Sequence, residues 1–162
     1  MKIQKLQKET LSQAVHLRNK VFPLLEPFEE ETLEASVYPE KFAQWFSDAK
    51  IKTIDYWISV TSNDVSGLVG LYTEVEAKKS KVWLGWYCVD PLYREAKIGS
   101  KLLDFALQQA KGLGYKELHL YTTDDEEYAK ARFLYEKRGF MRYKESKKNQ
   151  TVYYKIFLDK MQ

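Results

Sequence analysis

The stretch Cys88-Val89-Asp90-Pro91-Leu92-Tyr93-Arg94-Glu95-Ala96-Lys97-Ile98-Gly99-Ser100-Lys101-Leu102-Leu103 decides the fold. An apolar run ends at a proline, a short basic loop follows, and an amphipathic helix begins. The first turn of a helix carries backbone N–H groups with no intrahelical acceptor and the positive end of the macrodipole. An anion placed there gains hydrogen bonds and favourable electrostatics together. Arg94, Lys97 and Lys101 add formal charge at the same point, so the segment reads as a phosphate site.

The pattern extends in both directions. From Ile98, apolar residues recur at Leu102, Phe105, Ala106, Ala110 and Leu113, the series of a helix lying on a sheet, and Leu103 and Leu107 widen the stripe. Gly112 and Gly114 end it, and Tyr115 to Thr123 alternates as a strand. Upstream, Val82 to Val89 is apolar on both faces and belongs in the middle of a sheet. Ile54 to Thr61 and Leu68 to Val75 also read as strands, joined by turns at Ser62-Asn63-Asp64 and Lys78-Lys79-Ser80, which makes an antiparallel meander. Before it come a short strand within Met1 to Gln7 and a helix with Thr10 as its N-cap, carrying Leu11, Ala14, Val15 and Leu17. Pro23 and Pro27 interrupt, and one or two short helices follow between Glu29 and Asp48. After Thr123, the acids Asp124 to Glu127 suit the start of a helix with Ala131, Leu134 and Tyr135 on one face, ended by Gly139. Two strands, Met141 to Glu145 and Thr151 to Leu158, close the chain. With no repeat and no linker, residues 1–162 read as one α/β (α+β) domain: a mixed central sheet of six to seven strands and about four helices.

The bulk properties exclude several function classes. A chain of 162 residues with 44% hydrophobic and 30% charged residues can bury one sizeable core. The formal charge of +3 arises from 26 basic and 23 acidic residues mixed along the sequence, so no nucleic-acid footprint is expected. The densest basic run, Arg142 to Asn149, reads as a solvated hairpin tip. No segment has the length to cross a bilayer or the pattern of a secretion signal, so a soluble cytoplasmic protein without membrane partners is expected. Cys88, the single cysteine, excludes an internal disulfide and a cysteine-type zinc site, and no metal is expected. Its position in a central strand reads as a small buried residue rather than a nucleophile.

Two segments together resemble the GCN5-related N-acetyltransferase (GNAT) superfamily. Val89 to Arg94 with Gly99 to Leu103 is similar to the pyrophosphate-binding segment of the family, and Ala131-Arg132-Phe133-Leu134-Tyr135-Glu136-Lys137-Arg138-Gly139-Phe140 is similar to its second signature. The resemblance implies a GNAT fold, with an antiparallel N-terminal meander and a splayed pair of parallel strands. It implies an acyltransferase moving an acetyl group from acetyl-coenzyme A, the co-substrate, to a primary amine by direct transfer in a ternary complex. Cys88 and Val89 then offer main-chain groups to the pantetheine arm, while Arg94, Glu95, Ala96, Lys97, Ile98, Gly99 and Ser100 form the phosphate loop. Two positions depart from the pattern: Lys97 replaces a family glycine, and Tyr128 stands where many relatives carry an asparagine that contacts the pantetheine. Tyr135, a packing residue by periodicity alone, matches the family tyrosine that protonates the departing thiolate.

By the same analogy Phe22, Glu26, Phe28, Tyr72, Trp83 and Trp86 line the acceptor pocket, which suits a small alkyl or aromatic amine or an amino-acid-like acceptor. The general base is not identified by the sequence. Glu74, Glu76 and Glu26 are candidates beside a water relay, and neither His16 nor His119 has a partner visible in the sequence. Two other readings stay open: a protein N-terminus or lysine as acceptor, and a coenzyme A-binding module without transferase activity. Relatives suggest a homodimer.

Overall fold

The computed structural model describes residues 1–77, 80–94 and 96–161. Seven strands form one mixed sheet: β1 (Lys2–Lys5), β2 (Ile51–Thr61), β3 (Asp64–Glu74), β4 (Lys81–Val89), β5 (Glu117–Thr123), β6 (Met141–Ser146) and β7 (Thr151–Phe157). Their spatial order is β1-β2-β3-β4-β5-β7-β6. Every neighbouring pair is antiparallel except β4 and β5, the two strands that the helix after the phosphate loop connects. The meander and the parallel pair expected from the sequence are both present.

The described residues contain six α-helices rather than about four: α1 (Lys8–Val21), α2 (Pro27–Glu30), α3 (Thr32–Val37), α4 (Ala43–Ala49), α5 (Ile98–Gly112) and α6 (Ala129–Lys137). The excess lies between Pro27 and Ala49, where Pro27 and Pro39 each restart the chain and divide the region into short pieces. Helix α1 starts earlier than expected, because Gln7 is its N-cap. The Thr10 side chain instead closes the first turn, accepting from Gln7 N–H at 3.3 Å and donating to Gln7 O at 3.2 Å.

The sheet separates two apolar layers. On one face, Val69, Leu71, Val82, Leu84, Leu118, Leu120, Val152, Tyr154 and Ile156 pack against Ile98, Leu102, Leu103, Ala106, Leu107 and Ala110 of α5. Phe105 lies at the edge of that stripe against Trp57, with ring centroids 5.6 Å apart. Leu113, expected on the buried face, follows the last turn as the C-cap and is exposed. On the other face, Ile54, Tyr56, Ile58, Leu68 and Cys88 meet Ala14, Leu17, Leu33, Ala35 and Trp45 of α1, α3 and α4. These helices cover the β2–β4 half, whereas Tyr121 and Tyr143 on the same face remain about half exposed.

Candidate active site

The site begins where the sheet opens. Strands β4 and β5 pair at Lys81/Glu117, Val82/Leu118 and Trp83/His119 and no further, although β4 continues to Val89 and β5 to Thr123. Strand β4 bulges just past this point. Tyr87 faces Val69 and Leu84 faces Leu71, so Gly85 and Trp86 together oppose Gly70. The Tyr56 ring fixes the bulge from below. A Cβ on Gly70 would come within 2.6 Å of Tyr56 Cδ1 and one on Gly85 within 2.9 Å of Tyr56 Oη, so the ring fits only over two glycines. Its hydroxyl accepts the Trp86 N–H at 3.3 Å. Asp90 N–H donates to Ser66 O at 2.9 Å, and amides alternate along a strand. The Cys88 amide therefore turns to β3, while those of Tyr87 and Val89 face the opening. The Cys88 thiol lies in the opposite apolar layer, where burial pushes its pKa up to about 12.

At the far end of β4 the loop before α5 is held in place. The Asp90 carboxylate accepts Leu92 N–H at 2.9 Å and Lys20 Nζ at 2.9 and 3.0 Å, and the Tyr93 hydroxyl donates to Asp64 Oδ2 at 3.1 Å. Desolvation alone would raise the Asp90 pKa; the Leu92 N–H, Lys20 and Arg94 together hold it below the usual carboxylate range. Lys97, the N-cap of α5, has φ 57° in the left-handed region. The first intrahelical bond is Lys101 N–H to Lys97 O at 3.1 Å, which leaves the N–H groups of Ile98, Gly99 and Ser100 at the open helix end. Arg94, Ala96, Lys97 and Lys101 are exposed around it, Gly99 and Ser100 are half-buried, and the Ile98 side chain belongs to the core. A Cβ on Gly99 would stand 2.9 Å from the Tyr87 hydroxyl, so glycine lets the helix begin against that ring. These free donors and cations fit a pyrophosphate. Glu95 lies outside the described residues.

Tyr135 approaches the opening from the α5/α6 face. It is 6% exposed, with ring centroids 6.0 Å from Tyr87, 5.9 Å from Phe140 and 6.1 Å from Tyr154. Among the described residues the Tyr135 hydroxyl makes no hydrogen bond. Burial, with a smaller effect of Tyr154, raises its pKa and keeps the phenol protonated at neutral pH. Helix α6 is clamped at both ends. Arg132 donates to Thr123 O at 2.8 Å and Asp125 O at 2.7 Å, and Arg138 binds both Asp104 oxygens at 2.6 and 3.0 Å. Tyr128, half-buried at the start of α6, has its phenol pKa raised by burial and by Glu127.

The opposite face of the opening carries the aromatic residues expected to meet an acceptor. Tyr72 stacks on Trp83 at 6.3 Å and 10°, and the Trp83 indole donates to Glu74 Oε2 at 3.1 Å. Phe22 lies 4.7 Å from Trp86, whose indole donates to Thr32 Oγ1 at 2.9 Å. Two expected residues stand apart from these pairs. Glu26 is exposed and caps α2, its N–H bound by Glu29 Oε2 at 3.2 Å, while Phe28 stacks on Trp45 at 5.4 Å in the helical layer. Sequence reasoning missed Tyr121, 6.2 Å from Trp83, whose pKa is raised by desolvation and then by Glu29, Tyr153 and Glu74. The alternation of β5 placed it on the Trp83 face, but nothing in that strand marked it as more than a surface tyrosine.

The model of the acetyltransferase (GNAT) family matches residues 16–140. The chain belongs to that family. Solved GNAT-fold structures superpose over nearly the whole chain at low identity. An aminoglycoside 6'-N-acetyltransferase complexed with coenzyme A gives a TM-score of 0.72 at 14% identity, covering 98% of this chain and 97% of that one. The Escherichia coli ribosomal-protein-S18-alanine N-acetyltransferase gives 0.68 at 17%, covering 97% and 93%. A Vibrio cholerae spermidine N-acetyltransferase gives 0.71 at 18%, covering 99% and 96%. No curated protein matches the chain. Among the described residues no three metal-ligating side chains converge, and no helix is long and apolar enough to cross a membrane. Lys97, the departure from the GNAT loop pattern, adopts a left-handed backbone of the kind glycine takes readily.

Proposed function

We propose that this GNAT protein is an acetyl-coenzyme A-dependent N-acetyltransferase that acylates the primary amine of a small cationic acceptor by direct transfer within a ternary complex. The observation that carries the reading is the β4–β5 opening itself. It has free helix-end donors at its mouth, a protonated phenol on one face and an acid-flanked aromatic surface on the other. The N–H groups of Ile98, Gly99 and Ser100, with Arg94, Lys97 and Lys101, hold the pyrophosphate. The unpaired amides of Val89 and Tyr87 bind the pantetheine arm as an added strand, with Tyr128 flanking it. Tyr135 donates its proton to the departing thiolate. Tyr72, Trp83 and Tyr121 receive the acceptor, Phe22 and Trp86 form the adjoining wall, and Glu29 and Glu74 supply charge complementary to an ammonium.

The test is calorimetric titration with acetyl-coenzyme A, coenzyme A and pantetheine, followed by thiol release with spermidine, phenethylamine and an amino sugar. Binding that depends on the phosphates, with amine-dependent thiol release, is expected. Binding without release for any amine would favour the coenzyme A-binding module instead.

A further inference from the structure

His119 stands at the last paired position of β5, opposite Trp83, where the sheet begins to open. It is 5% exposed and lies on the acceptor face with its ring 5.2 Å from Trp83. Both ring nitrogens have partners: Nε2 is 2.7 Å from Glu117 Oε2 and Nδ1 is 3.0 Å from the Tyr143 hydroxyl. An ionised carboxylate can only accept, so Nε2 carries the proton and Nδ1 accepts from the phenol. Tyr143 reaches this position because β6 bulges there. Arg142 faces Tyr154 and Lys144 faces Tyr153, which leaves Tyr143 as the extra residue and turns its ring over β7 toward the histidine. It is 42% exposed, so the chain Glu117–His119–Tyr143 runs from a buried imidazole to the surface. Trp83, His119, Tyr143, Tyr153 and Tyr121 form a closed circuit of ring contacts between 5.2 and 6.3 Å, joining this chain to the acceptor surface.

We propose that Tyr143, His119 and Glu117 are the proton relay that deprotonates the acceptor ammonium. The proposal rests on the acetyltransferase reading above and supplies the base that the sequence did not identify. An alkyl amine arrives as the ammonium, and its nitrogen can attack a carbonyl only after losing a proton. In the relay an ammonium N–H bond breaks, leaving its electron pair on nitrogen, and the proton passes to Tyr143 Oη, directly or through one water. The phenol's own proton moves at the same time to His119 Nδ1. The positive charge thus moves from the amine to an imidazolium held by Glu117, which later returns the proton to solvent. Tyr143 is the group that meets the substrate; His119 and Glu117 act through it.

The groups facing His119 are Glu117 on its own strand, Lys81 on β4, Lys155 on β7 and Tyr143 on β6. Burial lowers the imidazole pKa, Lys81 and Lys155 lower it further, and Glu117 opposes them, with a net lowering from 6.5. The ring is therefore neutral and able to accept at neutral pH. The proton sink lies on the acceptor face and the Tyr135 acid on the other, so donor and acceptor of protons meet only through the opening between β4 and β5.

The experiment pairs phenethylamine with its β,β-difluoro analogue, whose ammonium is far more acidic at nearly the same shape. It measures kcat, KM and acetyl-coenzyme A affinity for wild type, Tyr143→Phe and His119→Gln, with nitrogen NMR of His119 in the wild type. The expected result is a kcat loss of ~10²-fold for phenethylamine at neutral pH and a much smaller loss for the difluoro analogue, with coenzyme affinity unchanged. In the wild type the acid limb of the phenethylamine profile falls below pH 6.5, and Nε2 bears the proton. Equal losses for the two amines, or a proton on Nδ1 rather than Nε2, would overturn the relay while leaving the transferase reading intact. Absence of thiol release by wild type with these two amines, and with spermidine and an amino sugar as well, would overturn both.

Discussion

Replacing Tyr135 by phenylalanine removes one oxygen from a ring whose surroundings are otherwise apolar. The ring keeps its contacts with Tyr87, Phe140 and Tyr154, and the hydroxyl has no hydrogen-bond partner among the described residues whose loss would cost stability. The stability change should therefore stay within about 0.5 kcal/mol, the range of a substitution that breaks no named interaction. The hydroxyl makes no hydrogen bond to the helix-end donors among the described residues, so coenzyme affinity should not move. The chemical step should respond. A positioned general acid contributes roughly 10²- to 10⁴-fold, or about 3–5 kcal/mol of barrier. Thiol release measured at saturating acetyl-coenzyme A and amine should fall by that factor in kcat, with KM for the coenzyme and the calorimetric affinity retained.

The pH dependence sharpens the test. Burial raises the Tyr135 pKa above its usual value, so the acid stays protonated throughout the neutral and mildly alkaline range and imposes no alkaline limb there. Unchanged kcat in Tyr135→Phe would refute the acid role. A parallel loss of kcat and thermal stability would show that the hydroxyl supports the fold rather than the reaction.

Three further outcomes follow from the same geometry. Lys97→Gly relieves a left-handed residue costing roughly 1–2 kcal/mol but adds about 0.5–1 kcal/mol of chain entropy, so thermal unfolding should show a neutral to ~1.5 kcal/mol more stable protein; a clear loss would mean that the lysine side chain holds the loop. Gly70→Ala drives a methyl into the Tyr56 ring and should cost about 2 kcal/mol or more in denaturant unfolding, with part of the loss recovered when Tyr56→Leu is added. Burial also raises the phenol pKa values of Tyr56, Tyr72 and Tyr87. The stability these groups contribute is fully present below the unfolded tyrosine value of about 10 and is lost as pH rises through their folded values. Ionisation of these three phenols should therefore coincide with loss of circular dichroism above that pH, and absorbance showing all 12 tyrosines ionised while the circular dichroism persists would contradict it.

The fold was legible because its strongest signals are periodic. The stripe from Ile98 to Ala110, the alternating strands of the meander and the proline at the end of β4 each specify an element from local chemistry. The short helices between Pro27 and Ala49 were less legible, since caps and prolines there act over three or four residues. The site divided along the same line. The phosphate loop and Tyr135 lie in contiguous motifs, and the structure brings both to one opening. His119 and Tyr121 share a face through the alternation of β5, but Tyr143 joins them only through strand order: β7 inserts between β5 and β6, and one bulged residue turns across it. No spacing in the sequence encodes that meeting. Glu26 instead takes a capping role at the start of α2, which its position among the expected acceptor residues in the chain does not reveal.

The opening itself rests on steric choices rather than on catalytic side chains. A parallel pair would continue its ladder to the end of the shorter strand unless something turned one partner away. Here the turning element is the β4 bulge, and the bulge is stabilised by the Tyr56 ring lying over Gly70 and Gly85 with its hydroxyl on the Trp86 N–H. Tyr56 is 2% exposed and touches no surface, yet it keeps the Trp86 amide out of the ladder and so preserves the gap beyond Trp83 and His119. The arrangement places the unpaired amides of Tyr87 and Val89, the Tyr135 phenol and the histidine chain around one breach in an otherwise continuous sheet. In the proposed transfer, the thioester and the amine would meet across that breach, with the Tyr135 phenol on one face of it and the histidine chain on the other.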